Sequence, residues 1–267
     1  MKYRLGPLEA QLIFSLEREG KTTFNTAQAQ KLLNTTSNST HRVLQRLTAK
    51  GRIQRTKRGE YLLVPARAGY QTKWAEHVFA FLGDIIDNYY VGYWTALNYW
   101  GMTDQNPFTV FVATTSRRRA FEYNGTRIKY VTIAPRKFFG WTSEKIGDDT
   151  FRISDPEKTL IDSLDLPQNA GGVREAAKAL NSNPDWGKLT EYADRAGNKA
   201  VHRRLGYIAE ALQTGPPSSA ATHLQSRINA NYAWLDPTAP KKALEINRRW
   251  RVKVNLQIEA PRRNEAR

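Results

Sequence analysis

The sequence contains no cysteine. That excludes disulfides and thiolate metal sites and fits a reducing cytosol, so the expected location is cytoplasmic. Histidines number four, His41, His77, His202 and His223, and no two stand at a ligand spacing such as i, i+4 on one helix. No metal or cofactor is therefore expected. No apolar run approaches the roughly 18 residues that a membrane helix needs, and the first residues lack the hydrophobic region of a signal peptide. Acidic residues are scarce: 25 Asp and Glu face 41 Lys and Arg, for a net charge of +16.

That charge is uneven. Residues 1–70 hold 13 basic and 4 acidic side chains, residues 71–170 hold 11 and 12, and residues 171–267 hold 17 and 9. A near-neutral middle between two basic ends points to a polyanion contacted at both ends, or to DNA at one end and an acidic partner at the other. The length of 267 residues suits two domains, and 40 % hydrophobic content with 7 Trp, 12 Tyr and 10 Phe can fill their cores.

Residues 26–64 carry the most information. Thr26–Leu33 reads as one short helix and Asn34-Thr35-Thr36 as a polar turn. Ser37 is placed to cap a second helix, Asn38–Lys50, by accepting an unpaired backbone N–H. Gly51 ends it, as a residue free to take positive φ does. Arg52–Thr56, a Lys57-Arg58-Gly59 turn and Glu60–Val64 then form a basic hairpin. In the second helix Val43, Leu44 and Leu47 make an apolar stripe. Its other face carries Asn38, Ser39, His41, Arg42, Gln45, Arg46 and Lys50, without one acid. A solvated face would mix Glu with Lys.

This order is that of a winged helix-turn-helix, with Pro7–Arg18 as its first helix. In that arrangement the second helix of the pair enters the DNA major groove and the wing tip follows a phosphate backbone. Arg suits guanine, and Asn and Gln suit adenine, by bidentate pairing. The DNA-contacting set is therefore Ser37, Asn38, Ser39, Thr40, His41, Arg42, Gln45 and Arg46 from the helix, with Lys57 and Arg58 from the wing.

Pro65–Gly69 reads as a connector, giving domains over 1–68 and 70–267. The expected fold class is α+β, a winged helix followed by a mixed α/β domain. In the second domain Trp74–Ile86 reads as an amphipathic helix, the aromatic run 89–100 as core with a short helix from Thr95, and Thr109–Ala113 and Thr126–Ile133 as strands. Lys137–Trp141 and Phe151–Ile153 are shorter strands, and 173–181, Trp186–Ala193 and a basic Ala200–Ala211 are helical. Gly171-Gly172 lacks the pattern of a nucleotide loop and reads as a turn. Gly215–Ala220 is a break, and Asn247–Ile258 a late strand.

Three basic groups are candidates for a second phosphate contact or an acidic partner: Arg117, Arg118 and Arg119; Arg203 and Arg204; and Arg249, Arg251 and Lys253. If Asn247–Ile258 is one strand, the last three share a face, because side chains alternate. Ser154-Asp155-Pro156-Glu157-Lys158 has two readings. A metal-dependent nuclease would use Asp155 and Glu157 as ligands and Lys158 as base. A capping box would use Ser154 as N-cap and Glu157 at the third helical position, with Asp162 and Asp165 facing solvent or the basic helices. The capping box is the simpler account.

Tyr93–Met102, with its Ala-Leu-x-x-x-Gly core, Ile153–Asp162 with Ser-Asp-Pro-Glu-Lys-Thr-Leu-x-Asp, and Arg204–Leu212 together resemble the AbiEi-type antitoxin and transcriptional-regulator family of type IV toxin–antitoxin systems. The resemblance spans nearly the whole chain. It implies a non-enzymatic repressor that binds inverted repeats of double-stranded DNA at its own promoter, as a monomer or dimer. It also implies a second domain that counters a nucleotidyltransferase-like toxin. No single residue carries that second role over, and the long basic tail after Gly215 departs from the family pattern. The competing readings are the nuclease and a pure interaction module.

Overall fold

The computed structural model describes residues 5–21, 23–63, 78–79, 82–83, 85–123, 126–146, 149–213 and 215–258. The fold is α+β, in two compact units. One comprises residues 1–87 with 120–128 and 145–151; the other comprises 88–119, 129–144 and 152–267. The connector expected at 65–69 lies outside the described residues, as does most of the expected Trp74–Ile86 helix. The described part of that helix is helical at Val78–Phe79, Leu82–Gly83 and Ile85, with Val78, Leu82 and Ile86 buried.

The first unit opens with α1 (Pro7–Arg18), β1 (Thr23–Asn25), α2 (Thr26–Leu33), α3 (Ser37–Ala49), β2 (Ile53–Lys57) and β3 (Glu60–Leu63). The three strands form a sheet in the order β1-β3-β2, antiparallel throughout. This is a winged helix-turn-helix. Its core joins Leu12, Ile13 and Leu16 of α1 to Ala29 and Leu33 of α2, to Val43, Leu44 and Leu47 of α3, and to Ile53, Tyr61 and Leu63 of the hairpin. Each helix contributes one stripe at 3–4-residue spacing, so three marginal helices are held by a shared core rather than by propensity.

Local signals set the helix limits. At α2 the Asn25 side chain accepts from Gln28 N–H at 2.8 Å and the Gln28 side chain accepts from Asn25 N–H at 2.8 Å, a reciprocal capping box. Asn34 ends α2 in the left-handed region at φ 46°, which Asn tolerates better than most residues. Asn25→Ala is expected to cost about 1 kcal/mol of stability, read as a lower denaturant midpoint at unchanged m-value; no shift would remove the cap from the account.

The second unit holds β4 (Tyr89–Val91), α4 (Tyr93–Tyr99), β5 (Thr109–Thr114), the later part of β7 (Thr126–Thr132), the earlier part of β8 (Trp141–Ile146) and the end of β9 (Asp149–Ser154). These strands run in the order β7-β5-β4-β9-β8. β4 is antiparallel to β5 and parallel to β9. In the first unit, β6 (Phe121–Tyr123) pairs with the opening of β7.

α5 (Pro156–Asp165), α6 (Val173–Ala179), α7 (Trp186–Ala196), α8 (Lys199–Ala211) and α9 (Ser218–Arg227) follow. A parallel–antiparallel sheet then closes the unit, β10 (Ala233–Trp234), β12 (Val252–Val254) and β11 (Glu245–Asn247), in that order. Leu224, Leu235, Trp250, Val252 and Val254 enter the same core as α5–α8. The basic tail after Gly215 is thus an integral part of the second unit, and the expected break at Gly215–Ala220 runs straight into α9 at Ser218.

The structure corrects several local expectations. The late strand over Asn247–Ile258 is a hairpin: Asn247 Oδ1 accepts from Trp250 N–H at 2.9 Å and Arg251 takes φ 52°, an Asx turn that reverses the chain. Arg249, Arg251 and Lys253 therefore do not share a strand face. Residues 135–137 form a 3-10 turn, and the strand expected at Lys137–Trp141 starts only at Trp141. The N-cap of α5 is Asp155, not Ser154: Asp155 Oδ1 accepts from Lys158 N–H at 2.8 Å. Ser154 ends β9, where its buried hydroxyl meets Thr159 Oγ1 at 2.7 Å. The aromatic run is core at Tyr89, Tyr90 and Tyr93, as expected.

Candidate nucleic-acid interface

α3 begins one residue earlier than its sequence suggests. Thr36, not Ser37, is the N-cap, accepting from Ser39 N–H at 3.3 Å. Thr40 is also displaced from the expected set. It is fully buried, and its hydroxyl donates to the Thr36 carbonyl at 3.0 Å. The reason is helical phase: Thr40, Val43, Leu44 and Leu47 lie on one stripe. Ser37, Asn38, His41, Arg42, Gln45 and Arg46 are exposed, and Ser39 half-buried. Among the described residues, no ion pair occupies Arg42, Arg46 or Arg58.

Lys50 is removed from this face. Its Nζ lies 2.5 Å from Glu9 Oε2, and Glu9 also accepts from Gly6 N–H at 2.7 Å. Burial pushes the Glu9 carboxyl up, but the bonds from Lys50 and Gly6, with the charges of Lys50 and Arg46, hold it below the usual range. The acid of α1 thereby neutralises the inner end of α3 and leaves the outer face wholly cationic or neutral.

The wing sits beside that face. Thr26 N–H donates to the Gly59 carbonyl at 2.9 Å, and Thr26 Oγ1 donates to it at 3.3 Å. These bonds tie the hairpin tip to the first turn of α2. Gly59 takes φ 79°, the left-handed geometry that a tight tip requires. The ladder shifts register between Arg55 and Lys57, a bulge that twists the strand end. A concave site of about 410 Å³ results, lined by Thr26, His41, Gln45, Arg55, Arg58, Gly59 and Tyr61. Arg55 and Thr26 were not among the expected contacts. Strand alternation from Ile53, which is buried, puts Arg55 on the same face by count, yet Arg55 is exposed and lines this site. The Lys57 side chain lies outside the described residues.

The second group of basic residues is not one surface. Arg203 and Arg204 are buried: Arg204 donates to the Leu164 carbonyl at 2.6 Å and to the Trp234 carbonyl at 3.3 Å, and Arg203 bonds Asn229. The expected basic amphipathic helix is enclosed on nearly every side, so its guanidiniums cap carbonyls instead of meeting phosphates. Arg249 pairs with Glu210 at 2.8 Å, Arg251 donates to the Ala230 carbonyl at 3.2 Å, and Lys253 lies 5.4 Å over the Trp234 ring. Arg117, Arg118 and Arg119 are exposed.

Asp155, Glu157 and Lys158 are each paired within the fold. Lys188 lies 3.1 Å from Asp155 Oδ2 and 2.9 Å from Glu157 Oε2, and Tyr192 Oη donates to Asp155 at 3.0 Å. Burial and that bond push the Tyr192 hydroxyl up to about 12. One lysine thus compensates both carboxylates that a nuclease would need for metal. Lys158, fully buried, points away to Asp162, which Tyr90 Oη also meets at 2.8 Å. Asp162 is thus buried rather than facing solvent; burial pushes its carboxyl up, against the pull of Lys158. Asp165 pairs with Lys137 at 2.5 Å. Among the described residues, no three acidic or histidine side chains gather in a metal-binding geometry. His202 and His223 share the Asp194 carboxylate, at 2.9 and 3.0 Å. No described helix is long and apolar enough to cross a membrane.

No family model and no curated protein matches the sequence. Among solved structures, the chain is similar to the RV2827C protein from Mycobacterium tuberculosis, at a TM-score of 0.63 and 12 % identity over 95 % of this chain and 93 % of that one, a likeness of fold.

Proposed function

We propose that the protein is a sequence-specific DNA-binding repressor that reads the major groove with α3 and holds the backbone with its wing. The observation that carries this reading is the composition of one surface. His41, Arg42, Gln45 and Arg46 are all exposed on α3, with no acid among them, beside Arg55 and Arg58 of the hairpin. Asn38 at the helix start adds an adenine reader. Helix-start residues of a recognition helix are those that reach base edges.

The resemblance to AbiEi-type antitoxins extends the proposal: the site is an inverted repeat in the gene's own promoter, and the second unit opposes a nucleotidyltransferase-like toxin. Footprinting on the DNA upstream of the gene tests the first part. Two protected half-sites in inverted orientation support it; uniform protection, or none, counts against it.

The wing has a separate signature. Arg58→Ala is expected to weaken binding to specific and random duplexes alike, and to lower the slope of log K against log salt by roughly 0.9, the share of one phosphate contact. A loss confined to one sequence would show that Arg58 reads a base.

A further inference from the structure

The two most exposed aliphatic side chains of the C-terminal sheet are Leu244 and Ile246, 61 % and 55 % exposed. Register explains why they stand outside. Val252 and Val254 are buried, and Glu245 and Asn247 pair opposite them on the same face of the sheet, Glu245 exposed and Asn247 half-buried at its edge. Ile246 pairs with Lys253, and Lys253 pairs with Trp234. Ile246, Lys253 and Trp234 therefore form a row across all three strands on the outer face, and alternation puts Leu244 there too. Lys253 Nζ lies 5.4 Å from the Trp234 ring. Lys241 and Lys242 precede Leu244 in the chain and Arg248 follows Asn247, and all three are exposed. Among the described residues none of these four cations forms an ion pair. The nearby acid, Glu245, is also exposed, but it pairs opposite Val254 and so lies on the other face of the strand.

We propose that this outer face docks a protein surface that carries acidic residues around an apolar patch. An apolar centre with a polar rim is the anatomy of a protein–protein interface, and cations without an ion pair on this face favour an acidic partner. The same molecule supplies the contrast with nucleic acid. The exposed face of α3 has polar and cationic side chains and no exposed large aliphatic, whereas Leu244 and Ile246 would offer nothing to a phosphate. A second copy of the chain would bring like charges together. The inference stands apart from the DNA reading, which concerns the first unit.

The test uses the full-length protein with Ile246→p-benzoylphenylalanine, photolysed in the cells that make it, with Thr222→p-benzoylphenylalanine as control. The expected result is a discrete adduct at position 246 only, whose crosslinked peptide, sequenced by mass spectrometry, comes from an acidic surface of another protein. With that partner purified, Ile246→Asp and Lys242→Glu should each weaken the complex tenfold or more, while thermal midpoint and affinity for upstream DNA stay unchanged. Higher salt should weaken the wild-type complex. An adduct with DNA, an adduct with a second copy, a neutral or basic contact peptide, or no difference from the control position would each overturn the proposal.

Discussion

Arg42→Ala and Arg46→Ala should each erase preference at particular base pairs while leaving random-duplex affinity nearly intact. Both side chains are exposed on the acid-free face of α3, and neither is spent on an ion pair. A bidentate arginine–guanine contact discriminates against the wrong base by about 1–3 kcal/mol, or about 5- to 150-fold in the ratio of specific to random binding. The helix should be unharmed, because alanine is the best helix former and neither residue packs in the core. Lys50→Ala makes the contrast: its ammonium is held by Glu9 at 2.5 Å, so it should cost stability and leave sequence preference unchanged. Equal losses on specific and random DNA for Arg42→Ala would reduce that arginine to a phosphate contact.

The largest loss of stability is expected at Trp250. Its ring is fully buried in the second unit's core, and removal of a buried large aromatic costs about 3–5 kcal/mol. Its partner is Gly206 on α8. A Cβ there would lie 2.3 to 2.5 Å from three carbons of the indole, and a packed ring has no free end to swing away. Gly206→Ala gains up to about 1 kcal/mol of helix propensity, but an overpacked core costs about 1–3 kcal/mol, so the clash wins. The two effects share one space and should not add. Trp250→Leu combined with Gly206→Ala should therefore be more stable than the sum of the single losses predicts. Simple additivity in urea melts would show that the helix and the ring do not touch.

The winged helix was largely legible because its determinants are local. Thr26–Leu33 emerged with its own limits, and the apolar stripe of α3 set the buried and exposed faces directly. Errors of one residue at caps, Thr36 for Ser37 and Asp155 for Ser154, arise because two adjacent oxygen-bearing side chains both fit an N-cap and tertiary geometry chooses. The basic residues were misjudged for a different reason. Arg203 and Arg204 read as surface because arginine is almost never buried without a partner. Here the partners are main-chain carbonyls of Leu164, Asn229 and Trp234, distant in sequence and silent in any local pattern. Leu244 and Ile246 were invisible as a patch, since only the register of β11 on β12 shows which face they take.

The most direct measurement is a binding titration of the full chain against its own upstream DNA and a scrambled duplex of equal length, at physiological salt with Mg²⁺ present. The account predicts an intact, shifted complex that prefers the upstream DNA by about a thousandfold or more. Equal affinity for the two duplexes, or cleavage of either, would contradict it.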